Sequence, residues 1–127
     1  MRYKLIALLL AFTSCNFANS VNTGHADVSL IKYSTNNSQA NEFFIGIRMD
    51  MQKNWHTYWK NPGDSGGPIK VSWNLPDNVT ISDIYWPTPK LIPYSPLMTY
   101  GYKDFVIFPF KITYEDFNQL KNVSVGI

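Results

Sequence analysis

Cysteine is almost missing from this chain: Cys15 is the single one among 127 residues. It falls in a stretch that reads as a leader, so the folded remainder has no internal disulfide, no cysteine-ligated metal and no thiolate nucleophile. Charge is scarce as well. Charged side chains make up 16% of the residues, the same share as aromatic ones, a balance that favours a folded, β-leaning globule over a disordered chain. No apolar run is long enough to span a bilayer as a helix; the longest candidate, residues 5–12 (LIALLLAF), falls well short. Histidine is limited to His25 and His56. Without cysteine, two histidines leave no metal-ligand spacing, so neither a metal nor a cofactor is expected.

The start of the chain has the layout of a secretory signal peptide, residues 1–20. Arg2 and Lys4 precede the apolar run, and Ala18-Asn19-Ser20 offers small residues for cleavage. Cys15 raises lipidation as an alternative, although Phe12 stands where a lipobox wants an aliphatic residue. Cleavage after Ala26 is a third option, far from the apolar run. Loss of residues 1–20 removes Arg2 and Lys4 and leaves nine basic and nine acidic side chains. The basic excess therefore belongs to the leader. No basic stripe remains to suggest nucleic acid, and contact with a membrane would come through a partner or through a lipid on Cys15.

Residues 21–127 are expected to form one all-β domain. Residues 28–33 alternate, and residues 43–51 (FFIGIRMDM) place Phe43, Ile45, Ile47, Met49 and Met51 on one face of a half-buried strand. Further strands are expected over 55–60, 69–73, 79–86, 105–113 and 123–127, with a polar hairpin at 34–41 and a turn at 75–78. Residues 61–68 read as a loop and 87–96 as an extended, proline-rich crossover. Pro109 suggests an edge or a bulge in the 105–113 strand. Some seven short strands without a long helix fit a β-sandwich.

Residues 63–68, GDSGGP, resemble the nucleophile loop of trypsin-like serine proteases. A Ser–His–Asp machine needs three groups gathered in space. Here His56 lies nine residues before Ser65, Asp64 is the sole carboxylate between them, and the chain is too short for two barrels. A tight loop explains the letters better, with proline presetting φ and Asp and Ser bonding the local backbone.

With its flanks, the same stretch points elsewhere. The run Trp55, His56, Tyr58, Trp59, Asn61, Pro62, Gly63, Asp64, Ser65, Gly66 is followed by Trp73, Leu75-Pro76, Trp86-Pro87 and Tyr100-Gly101-Tyr102. This order resembles the N-terminal periplasmic domain of the DsbD/ScsB-type thiol:disulfide interchange proteins, from about Asp27 onward. The resemblance implies an immunoglobulin-like β-sandwich whose family activity is protein-disulfide reduction at a cysteine pair. It implies electron transfer to periplasmic thioredoxin-like partners and to cytochrome c maturation. The pair would follow the strand corresponding to 105–113, and the sequence reaches Ile127 without it. The expectation is thus a sandwich lacking its last strand or strands. Such a domain at most docks a thioredoxin-like periplasmic protein or the separately encoded remainder of a membrane disulfide reductase.

The resemblance also marks Met98, Thr99, Tyr100, Gly101 and Tyr102 as a cap loop over the cysteine site, with an ordinary aromatic turn as the plainer reading. The motif residues from Trp55 to Gly66, with Trp73, Trp86 and Pro87, are expected to be mostly structural. A rival reading is a secreted sandwich binding module that presents Tyr94, Tyr100 and Tyr102 as a stacking platform.

Overall fold

The computed structural model describes residues 8–9, 20–33 and 41–127. Cys15, most of the expected leader and most of the 34–41 hairpin lie outside the described residues. Among the described residues, eleven strands run in the order β1 (Leu8–Leu9), β2 (Val21–Asn22), β3 (Ala26–Tyr33), β4 (Glu42–Met51), β5 (His56–Gly63), β6 (Ser72–Asn74), β7 (Val79–Ile81), β8 (Lys90–Tyr94), β9 (Leu97–Lys103), β10 (Phe105–Tyr114) and β11 (Ser124–Gly126). A short 3-10 helix, Phe117–Asn122, precedes β11 and is capped by the Asp116 carboxylate, which accepts from the Asn118 N–H at 2.9 Å.

The alternation in the sequence becomes the core. In β4, Phe43, Ile45 and Ile47 are buried; in β10, Val106, Phe108, Phe110 and Ile112 are buried. These strands pair antiparallel over their length, with Ile47 opposite Phe108 and Ile45 opposite Phe110. Their sheet has the order β2-β3-β4-β10-β7. The remaining strands form two smaller sheets, β5-β9-β8 and β1-β11-β6. Val28 and Val79 of the five-stranded sheet, Tyr102 of β9, Val125 of β11, and Leu120 and Val123 from the 3-10 helix and its end complete the buried cluster, with Trp59, Trp73 and Trp86 packed at its margin. The all-β sandwich expected from the sequence is the fold.

Several boundaries differ from the expectation, each for a local reason. β5 runs on through Pro62 to Gly63, so the first part of the expected 61–68 loop is strand; a register shift between Tyr58 and Gly63 accommodates the extra residues. The crossover at 87–96 contains an edge strand, β8, in which Pro93 sits opposite Met98. An edge tolerates the missing N–H. The expected 69–73 strand shifts to β6, and the expected 79–86 strand pairs as a ladder through Ile81 alone. Beyond it, the Ser82 N–H donates to the Lys111 carbonyl and the Tyr85 N–H to the Pro109 carbonyl, each at 3.0 Å. Those bonds also explain Pro109, which sits in a central strand rather than at an edge or a bulge. Residues 109 and 111 turn their backbone groups toward the 82–85 segment, so the proline forfeits no bond to β4.

Candidate functional site

The Trp-His-x-Tyr-Trp motif leads into β5, which takes up all of it but Trp55. Thr57 is buried and Trp59 packs against the core, while His56 and Tyr58 form an edge-on pair with centroids 5.1 Å apart. Trp55 is 46% exposed and stacks on His25 at 3.5 Å, so it anchors a loop instead of filling the core. The Tyr58 ring lies flat over Gly66. A Cβ on Gly66 would stand 2.1 Å from that ring, and φ is +82°, so two separate constraints require glycine there.

The Asp-Ser pair acts as a buckle. Its partner is β9, whose pairing with β5 breaks register after Tyr58 and resumes at Gly63 opposite Thr99. The Asp64 N–H donates to the Met98 carbonyl at 3.1 Å, and the Met98 N–H donates to Asp64 Oδ2 at 2.8 Å. One residue thus satisfies both backbone groups of Met98 as a neighbouring strand would. Ser65 Oγ lies 2.9 Å from Thr99 Oγ1, and Thr99 is 1% exposed. Ser65 is therefore engaged with a threonine, not with a histidine, and Asp64 is spent on a backbone amide. The protease constellation is not assembled. Asn61 is exposed and Pro62 half-buried within the same β5 extension.

Met98, Thr99, Tyr100, Gly101 and Tyr102 all lie in β9, a strand paired with β8 on one side and β5 on the other. Gly101 is pressed against β5: a Cβ there would meet the Thr57 carbonyl oxygen at 2.1 Å. Tyr102 points inward, 5% exposed, edge-on to Phe108 at 5.5 Å. Its hydroxyl donates to the Pro87 carbonyl at 2.8 Å. Burial pushes the phenol up from 10.0 to about 12. That bond joins two stretches that the sequence shows separately, Trp86-Pro87 and Tyr100-Gly101-Tyr102. Trp86 stands edge-on to Phe108 at 5.5 Å, and Trp73 edge-on to Phe110 at 5.2 Å.

The outer face of the β8–β9 hairpin is apolar. Leu91 is directly opposite Tyr100, and Pro93 is opposite Met98, so the four share one face. Leu91, Met98 and Tyr100 are each more than 40% exposed, and Tyr94 beside the turn is 72% exposed. The tyrosine platform of the rival reading is not formed, since Tyr102 belongs to the core. Leu91 and Pro93 escape notice in the sequence because the prolines around them hide a strand; the alternation of Leu91 and Pro93 about buried Ile92 is the signal that marks it.

A small, all-β domain whose signature loop buckles one aromatic strand into place is thus defined by geometry alone. The model of the family described as thiol:disulfide interchange protein DsbD, N-terminal, matches residues 27–126, and the chain belongs to that family. Among solved structures, the N-terminal periplasmic domain of ScsB from Proteus mirabilis shares the fold, with a TM-score of 0.59 and 23% identity. The match covers 76% of this chain and 38% of the ScsB chain, so this chain spans well under half of that protein's solved length. No curated protein sequence matches the chain.

Proposed function

We propose that residues 21–127 are an exported domain of a thiol:disulfide interchange system, delivered to the periplasm by a signal peptide at 1–20. Its task is docking. The exposed block of Leu91, Pro93, Met98 and Tyr100, with Tyr94 at its end, receives a thioredoxin-like periplasmic protein. In this reading β9 is the cap of the family, and the Asp64–Ser65 buckle sets its resting position. The carrying observation is the family match over 27–126, which spans the buckle and the hairpin together. Dithiol exchange needs two sulfurs, one to attack and one to resolve the mixed disulfide. These 127 residues contain Cys15 alone, so the chain by itself turns over no disulfide.

The test is a titration of the isotope-labelled chain with a reduced thioredoxin-like periplasmic protein, followed by NMR and by a disulfide-reduction assay. Saturable shifts at Leu91, Met98 and Tyr100, without acceptor reduction, are the expected result. Shifts confined to the opposite sheet, or measurable turnover, would refute the reading.

A further inference from the structure

Met49, Met51 and Met98 are the methionines among the described residues, and packing treats the last of them differently. Met49 and Met51 belong to β4 and pack against the core; Met49 stands opposite buried Val28 on one side and buried Val106 on the other. Met98 is 43% exposed. It sits within the apolar block of the β8–β9 hairpin, opposite Pro93 and two residues from Tyr100 along the strand. Asp64 takes both of its backbone groups, at 2.8 and 3.1 Å. The strand is therefore held at this point, and the side chain keeps its place in the block.

A thioether is apolar until a mild oxidant turns it into a sulfoxide, which is polar and chiral. With hydrogen peroxide, one oxygen atom passes to the methionine sulfur. The O–O bond breaks, an S–O bond forms, the sulfur gives up two electrons, and water leaves. Access of the oxidant decides which thioether reacts first, and here the accessible one lies inside the docking block. Seating a sulfoxide in an apolar contact strips it of water without returning a donor. We propose that Met98 is a modification site for peroxide-type oxidants, and that its sulfoxide closes the docking block to the partner. This rests on the docking reading above and adds a control to it. The partner is received while the thioether is intact, and refused once oxidant has reached the surface. The change is reversible, because methionine sulfoxide reductases return the thioether.

The chain is treated with hydrogen peroxide, cleared of it with catalase at successive times, and mapped by peptide mass spectrometry. Met98 should gain its oxygen atom on the order of tenfold faster than Met49 or Met51; equal rates at the three would overturn the site. The oxidised chain is then titrated by NMR with a reduced thioredoxin-like periplasmic protein, and binding should weaken on the order of tenfold. The Ile45 and Ile47 resonances should stay in place, because the modified group is at the surface; a loss that comes with their displacement is unfolding and counts against the switch. Met98→Leu, compared with itself before and after peroxide, should show no such loss. Methionine sulfoxide reductases A and B together should restore the parent chain. Docking that is equal before and after treatment with Met98 oxidised, or that weakens as much in Met98→Leu, would overturn the switch. A chain that does not dock before treatment refutes the docking reading, and the switch with it, while the mass map still decides the site.

Discussion

Ser65→Ala tests the claim that the signature loop is a buckle. The hydroxyl pair Ser65–Thr99 is 2.9 Å long, and its far end sits on a residue that is 1% exposed. Truncating Ser65 leaves the Thr99 hydroxyl buried and unmatched, which costs about 1–3 kcal/mol because water cannot replace the lost partner. The Asp64–Met98 bond, by contrast, is open to solvent, so Asp64→Ala should cost about 0.5–1.5 kcal/mol despite the carboxylate's charge. The neutral serine is thus expected to matter more than the charged aspartate. Thr99→Val in the Ser65→Ala background removes both polar ends and should restore most of the loss, since exchanging both partners for apolar groups of like shape is nearly neutral. Urea unfolding followed by tryptophan fluorescence reads this directly. With a slope of about 2 kcal/mol per M, Ser65→Ala should lower the midpoint by roughly 1 M. An unchanged midpoint, or a double variant as weak as the sum of its singles, would refute the buckle.

Two further outcomes follow from the same strand. Gly101→Ala places a methyl group against the Thr57 backbone oxygen, which no rotamer change can relieve, so a loss of at least about 2 kcal/mol is expected in thermal unfolding; a gain, as when alanine merely restricts the unfolded chain, would show that β5 and β9 are not so close. Tyr102 should ionise near pH 12 in the folded protein, against 10.0 when exposed, as read by its absorbance near 295 nm. The unfolded chain gives up that proton first, so Tyr102's share of the stability is complete below pH 10 and is lost as the pH climbs from 10 to about 12. Tyr102→Phe should flatten that alkaline slope, and an unaltered slope would remove the assignment.

How much of this was legible beforehand depends on the range of the physics involved. The period-two pattern of Phe43, Ile45 and Ile47 marks β4 in any reading, because a strand buries one face and the residues themselves record which. The breadth of the motif from Trp55 to Gly66 marks the family on the same terms. Pro93 misleads, since a local rule against proline in strands cannot distinguish an edge strand from a crossover; that depends on a neighbour, β9, which no window around Pro93 contains. Tyr100 and Tyr102 look alike in sequence, yet one is exposed and the other donates to Pro87 from inside the core.

The sequence by itself settled the class of fold, the position of its main strands and the family, because side-chain periodicity and motif spacing are properties of neighbouring residues along the chain. Only the tertiary structure decided what Asp64 and Ser65 are for and which methionine stands in the open. Those depend on groups some 34 residues apart meeting within 3 Å, and on packing that covers Met49 and Met51 but leaves Met98 exposed. Distances of that kind are set by how sheets stack, which is encoded in the whole chain at once and in no single stretch of it.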